Sequence, residues 1–386
     1  MFLDLLLGLC IACLAFSCLY QLYTCHVVRK FVLEEIPRAD LSLTDYRPAS
    51  QLKPVHGQSP RLESCLVTAL NQDYPSDWDV VFSAGLADDP ALDLARRLPA
   101  PVPVQVVGGG VTDFTNPKVR SMMAGEPSLK NEWVVCWDAD MRAPKDFLRR
   151  VFSPFRDPQV GASTCLYGVK QVDNFGQALE GLSVTDFGSS VLVARKLEGM
   201  SFMLGAVLAF RREVLQQVGG FGVVRHHLAD DYQLGNRTFK AGWKVALAPC
   251  IVEDVLGERS FSEYWEHQLR WMRTYRVCRP NGHAAFIITQ GLVWCLLWLL
   301  LSGGSPAAWQ GLGGWLLVRW LTTRYNWQLL GSPSAARWAL ITPFKDLCYF
   351  ALWAASWLGH TVRWGGKTFV LGTGGTMRRQ EELTRT

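Results

Sequence analysis

An apolar run, Trp133-Val134-Val135-Cys136-Trp137, leads directly into Asp138-Ala139-Asp140. A buried strand that delivers two carboxylates at its end suits a hard divalent cation carrying substrate phosphates. On an extended backbone the two aspartates share a side, because side chains alternate with period two. A turn with solvated aspartates is the plain alternative. A second polar cluster is His226-His227-Leu228-Ala229-Asp230-Asp231-Tyr232. It suits either a His/Asp metal site or a helix N-terminus capped by aspartate, and taken alone the cap is favoured. The third group lies on Phe261–Val277, where Ser260 or Ser262 predicts a cap and Phe261, Tyr264, Trp265, Leu269 and Met272 form an apolar stripe. His267, Arg270 and Trp271 fall at i, i+3 and i+4, so they share another face. That face is either a basic surface lying on lipid or a cationic and aromatic wall able to bind diphosphate.

Such groups need a scaffold to bring them together. Asp79–Leu86, Val102–Val107, Trp133–Trp137, Val160–Tyr167, Met203–Phe210 and Lys244–Ala248 predict strands. Helices are predicted over Ala91–Leu98 and Glu213–Val218, the latter stopped by Gly219-Gly220. Strands alternating with helices predict an α/β fold with a mainly parallel sheet covered on both faces. Sheets of this kind bind ligands beyond the carboxyl ends of their strands, where Asp138 and Asp140 sit.

The 386 residues are 19% charged and 49% hydrophobic, with sixteen tryptophans and a net charge of +5. That composition excludes a disordered chain, a disulfide-stapled miniprotein and a nucleic-acid module built on a large basic field. Charge is unevenly spread. Residues 1–25 hold only Asp4, and residues 284–360 hold Arg319, Arg324, Arg337, Lys345 and Asp346. Phe2 to Tyr23 is long enough to cross a bilayer, and Arg29 and Lys30 just after it predict a cytoplasmic location for the next domain. Without a basic start or an Ala-x-Ala cleavage site, this segment reads as an uncleaved anchor. Ala284–Leu301 and Trp309–Leu330 are further apolar runs. Trp338–Leu358, broken by Pro343, Lys345 and Asp346, suits a re-entrant or interfacial helix. Nine tryptophans lie between 284 and 360, consistent with interfacial belts. The eleven cysteines are scattered, and Cys10 and Cys13 in the anchor read as inert.

Asp138-Ala139-Asp140, Ala229-Asp230-Asp231-Tyr232 and His267-Gln268-Leu269-Arg270-Trp271, in this order, resemble the membrane glycosyltransferases of the ceramide glucosyltransferase type, family 21, relatives of the large family 2. Asn116-Pro117-Lys118-Val119, Gly205 through Arg211-Arg212 to Gly219-Gly220, Lys345-Asp346-Leu347 and Val362-Arg363-Trp364 with Gly366 are similar too. The resemblance spans about residues 50–370, and its bacterial flavour includes hopanoid-biosynthesis enzymes. It implies a GT-A fold on the cytosolic face and a UDP-sugar donor. It implies Mg²⁺ or Mn²⁺ held by Asp138 and Asp140, Lys118 at the nucleotide, and Asp231 as general base in an inverting transfer. Arg270 and His267 would assist the leaving group, with Trp271 beside donor or acceptor. With the GT-A fold that the resemblance implies, the expected organisation is an anchor over 1–25, a linker over 26–48, a GT-A catalytic domain over 49–260 and an interfacial active-site helix over 261–282. Transmembrane or re-entrant helices over 283–360 and a hairpin and tail over 361–386 complete it.

One position departs from the family pattern. Leu86 stands where an aspartate associated with the nucleotide base is usual, so either Asp88 or Asp89 substitutes or donor recognition is altered. The implied acceptor is a lipid hydroxyl, on ceramide or a hopanoid polyol, delivered laterally from the bilayer; no nucleic-acid partner is expected. A processive polysaccharide synthase is the enzymatic alternative, although the short apolar segments look insufficient for a channel and His267 replaces the glutamine usual in processive relatives. A membrane sensor built on a decayed transferase is the non-enzymatic one.

Overall fold

The computed structural model describes residues 1–42 and 45–383; residues 43–44 of the expected linker and 384–386 of the expected tail lie outside them. The chain forms two compact units, one from Met1–Glu34, Val169–Leu197 and Glu258–Gly366, the other from Glu35–Gly168, Glu198–Gly257 and Lys367–Thr386. Val169–Leu197, within the expected 49–260 domain by sequence, clusters with the first unit.

The second unit is built on eight strands: β1 (Ala49–Pro54), β2 (Trp78–Ala84), β3 (Val104–Gly108), β4 (Trp133–Trp137), β5 (Met141–Arg142), β6 (Val160–Gly168), β7 (Val207–Arg211) and β8 (Lys244–Asp254). Their order is β3-β2-β1-β4-β7-β6-β8-β5. The β3-β2-β1-β4 half is parallel throughout, whereas β7 runs antiparallel to both its neighbours. The period-two alternation of β4 divides its side chains between two cores. Trp133, Val135 and Trp137 join Phe82, Phe147 and Phe152 on one face; Val134 and Cys136 join Val119, Met122 and Leu234 on the other. Both faces are thus covered, as the mainly parallel sheet required. Asp138 follows in the parity of Val134 and Cys136, the face covered by the Pro117–Gly125 helix.

Two strand expectations change. The predicted strand Met203–Phe210 starts only at Val207, because Leu204 and Val207 bridge around a turn that puts Gly205-Ala206 at its tip. β1 went unpredicted: Ser50, Gln51 and Lys53 are polar, yet the strand is buried along its whole length.

The first unit is helical. Phe2–Lys30 packs through Leu14 against Leu292, Cys295 and Trp315 of the Gly291–Leu301 and Pro306–Leu330 helices. Among the described residues only Phe2–Glu35 is by itself long and apolar enough to cross a membrane. The expected continuous run Ala284–Leu301 is instead broken: Pro280–Thr289 and Gly291–Leu301 meet at 56°. Eleven helical residues rise only about 16 Å, short of a hydrocarbon core of about 30 Å. Lys345 and Asp346, the charges that interrupted the third run, turn inward. Arg319 donates to Asp346 at 2.9 Å and to Asp186 at 3.1 Å, and Lys345 pairs with both aspartates. Two cations and two anions therefore neutralise one another inside the helical unit, which is what makes their burial tolerable.

Candidate active site

The site in the sheet unit begins with a capped helix. Asn116, fully buried, accepts from the backbone N–H groups of Lys118 and Val119 at 2.9 and 3.1 Å, and Pro117 occupies the first helical position. Both choices favour a helix start, and they leave Lys118 in the first turn. The Asn116 amide then donates to His227 O at 2.9 Å and to Asp230 Oδ1 at 3.4 Å, tying the two motifs together.

Lys118 is the hub. Its ammonium donates to Gly205 O at 2.8 Å, pairs with Asp138 Oδ1 at 2.7 Å and lies 3.7 Å from Asp230 Oδ2. Burial opposes the charge, but Asp138 and then Asp230 outweigh it and keep the lysine protonated. Asp230 and Asp231 occupy the first turn of the Asp230–Lys240 helix, and no side chain caps it. The cap expected there is therefore corrected: Asp230 turns to Asn116 and Lys118 instead.

Asp231 shares this cluster. A Cβ on residue 205 would lie 3.2 Å from Asp231 Oδ2 and 3.7 Å from Lys118 Nζ, so glycine leaves room beside the carboxylate. Burial and then the Asp230 charge push Asp231 up to about 7. A helix N-terminus favours the anion, but here burial wins. Asp140 is exposed beyond the end of β4. The protein mass around its carboxyl, and then the Asp138 charge, push it up to about 6.

Beneath the carboxylates lies a residue that sequence reasoning missed. Lys53 on β1 is fully buried and donates to Asp138 O at 2.7 Å and Met141 O at 3.0 Å, with its ammonium 3.6 Å from the centre of the Trp137 ring. Burial lowers it to about 8. It braces the backbone that carries Asp138 and Asp140. Only recognition of β1 as a strand would have exposed it, and its polar sequence hid that.

Leu86, beyond the end of β2, is 48% exposed. Asp89 caps the Pro90–Arg97 helix through Ala91 N at 3.0 Å, accepts from Gly57 N at 2.9 Å and meets His56 Nδ1 at 2.8 Å, so both its oxygens are engaged. Asp88 is exposed.

The helical unit assembles a second set. Ser260 closes a capping box with Glu263 and starts the Phe261–Cys278 helix, one of the two caps expected. The face buried is that of Tyr264, Gln268, Met272 and Arg276. His267 Nδ1 meets Glu180 Oε1 at 2.8 Å, and Gln268 donates to the same oxygen at 2.9 Å. Burial pushes His267 below its usual range despite that carboxylate. Trp271 packs on the His267 ring, and the Arg270 guanidinium lies 5.1 Å from the Trp364 ring centre. Glu180, also missed, sits on the Phe175–Glu198 helix, whose small and polar residues gave no amphipathic signal.

The structure thus gathers Lys118, Asp138, Asp140 and Asp231 in the sheet unit and His267, Arg270 and Trp271 in the helical one. Among the described residues no three His, Cys, Asp or Glu side chains gather around a metal position. Two carboxylates at the end of β4, Asp140 raised by the surrounding protein mass and then by the charge of Asp138, nevertheless fit a divalent cation, which would draw its further ligands from outside these side chains.

A model of glycosyl transferase family 21 matches residues 9–377. Ceramide glucosyltransferase 3 of Caenorhabditis elegans is 21% identical over 385 residues, covering 95% of this chain and 82% of that protein. Among solved structures, the mannosyltransferase PcManGT from Pyrobaculum calidifontis, in complex with GDP-Man and Mn²⁺, has a TM-score of 0.51. At 18% identity it covers 92% of this chain and 99% of that one. That likeness is one of fold, and the fold is GT-A.

Proposed function

The chain belongs to glycosyl transferase family 21, and we propose that it is a membrane-bound inverting glycosyltransferase moving one sugar, glucose or N-acetylglucosamine, from a UDP-sugar to a lipid hydroxyl. The acceptor is the hydroxyl of ceramide or a hopanoid polyol. The observation that carries this is Asp231, a carboxyl pushed up to about 7 in a cluster that also holds Asp138. A base with that affinity for a proton is half ionised near neutral pH, where it deprotonates an acceptor hydroxyl most effectively.

Asp138 and Asp140 would hold Mg²⁺ or Mn²⁺, which when bound would supply positive charge to offset that developing on the departing nucleoside diphosphate. Lys118 keeps Asp138 and Asp230 in place on the donor side. The exposed Asp88, rather than the fully engaged Asp89, is available to the nucleotide base. His267 and Arg270 assist the leaving group, with Glu180 fixing the imidazole and Trp271 packing beside the sugar or acceptor. Phe2–Glu35 anchors the chain in the membrane, with the sheet unit on the cytoplasmic side.

Incubation of the detergent-solubilised chain with radiolabelled UDP-glucose or UDP-N-acetylglucosamine, Mn²⁺, and ceramide or a hopanoid polyol tests the proposal. A labelled lipid of inverted anomeric configuration is expected. Neither labelled lipid nor donor hydrolysis, from a folded protein with metal present, would defeat it.

A further inference from the structure

We infer that a cavity of about 560 Å³ beyond the carboxyl ends of β2 and β3 binds a phosphate-type oxyanion, separately from Asp138 and Asp140. Its walls include Asp113 and Phe114 from the loop after β3, Arg120, His226, and Lys367 and Arg379 from the tail. Neither Asp138 nor Asp140 lines it.

Arg120 is fixed on three sides. Its Nε donates to Val111 O at 3.2 Å, its guanidinium lies 4.5 Å from the Phe114 ring centre, and its stem runs over Gly85. A Cβ at residue 85 would come within 2.8 Å of Arg120 Cδ, so the glycine after β2 is what admits the arginine. Arg379 lies over the same Phe114 ring at 5.2 Å. The acid in the wall, Asp113, is already committed to Arg225 at 2.8 Å and His226 at 3.2 Å. Among the described residues no carboxylate pairs with Arg120 or Lys367.

The positive charge of Arg120 and Lys367 is therefore concave and uncompensated. A solvated basic face would have mobile side chains; a guanidinium held by a carbonyl and an aromatic ring loses little freedom on binding. Its planar fork matches the oxygens of a phosphate. The cavity also touches the catalytic segment. Met377 N donates to His226 O at 2.8 Å and Leu228 N to Gly375 O at 2.9 Å, so the tail that supplies Lys367 and Arg379 is stitched to the residues leading into Asp230 and Asp231. An anion bound here bridges the tail to that segment. A lipid headgroup and a soluble diphosphate present the same chemistry.

Calorimetry on the metal-free, full-length chain in neutral detergent separates the outcomes, with three probes: inorganic pyrophosphate, dihexanoyl phosphatidic acid and dihexanoyl phosphatidylcholine. Pyrophosphate or phosphatidic acid is expected to bind, the tighter of the two naming the source, and phosphatidylcholine not to bind. Lys367→Glu, a change at an exposed side chain, should weaken binding about tenfold or more, and Arg120→Gln likewise, while Asp138→Asn retains it. Melting temperatures establish that each variant is folded. The inference is overturned if neither anion binds, if phosphatidylcholine binds equally, if folded Lys367→Glu binds as the parent does, or if Asp138→Asn abolishes binding.

Discussion

Replacing Lys118 by methionine removes the cation that pairs with the Asp138 carboxylate at 2.7 Å and approaches that of Asp230 to 3.7 Å. Methionine preserves most of the apolar stem, so the change isolates the charge. Breaking a buried ion pair by deleting one partner costs about 3–5 kcal/mol, because the remaining charge keeps its desolvation penalty. With Lys118 18% and Asp138 29% exposed, solvent screens part of this and the cost here is about 2–3 kcal/mol. Spread over a unit of this size, that corresponds to a fall in melting temperature on the order of 10 °C. The direction with pH is set by linkage. Lys118 lowers Asp140 and Asp231 against burial, so its loss raises both carboxyls further. A carboxyl raised by folding contributes stability that is present below its unfolded value, near 4, and lost as pH climbs through the folded value. The deficit of Lys118→Met should therefore be larger at pH 8 than at pH 5.5, and Lys118→Arg should recover much of it. Differential scanning fluorimetry of the three proteins at both pH values reads this directly. Equal melting temperatures, or a deficit that grows on acidification, would refute the placement of Lys118 as the counter-charge of the cluster.

Two further substitutions separate brace from ligand. Lys53→Met deletes a buried cation that donates to Asp138 O and Met141 O, and should cost about 2–4 kcal/mol and weaken Mn²⁺-dependent nucleotide binding, both measurable by melting and calorimetry. Asp89→Ala removes a helix cap worth about 1 kcal/mol together with its bond to Gly57 N, so the melting temperature should fall while nucleotide affinity in the folded protein stays constant.

Much of this was legible in one dimension, for reasons that particular residues make plain. β4 occupies the run Trp133–Trp137 because an uninterrupted apolar pentapeptide leading into Asp138 has few other uses in an α/β domain. Ser260 with Glu263 marked the start of its helix, since a capping box satisfies two orphan donors at once. Illegible parts were those whose burial depends on distant partners. β1 carries Gln51 and Lys53 into the core because Ala69 O, Asp138 O and Met141 O are waiting for them. Local composition cannot announce such acceptors. Lys345 and Asp346 looked like obstacles to burial until Asp186 and Arg319, far away in sequence, supplied compensation. Ala284–Leu301 carries no charge and is apolar apart from Thr289 and Gln290, and mean hydropathy alone did not reveal its break at Gln290. The carboxylates were found as motifs, whereas what sets their proton affinity, Lys118 on one side and burial on the other, emerged only from packing.

The most direct test of the central claim is the pH dependence of sugar transfer by the parent chain and by Asp231→Asn, with nucleotide binding followed in parallel. For the parent, kcat/KM should rise with pH through a midpoint near 7, as the base is freed of its proton. Asp231→Asn should lose that midpoint and about 10²–10⁴-fold in rate while still binding UDP with Mn²⁺. A variant that keeps both the rate and the midpoint, or one that is folded yet no longer binds the nucleotide, would contradict Asp231 as the base.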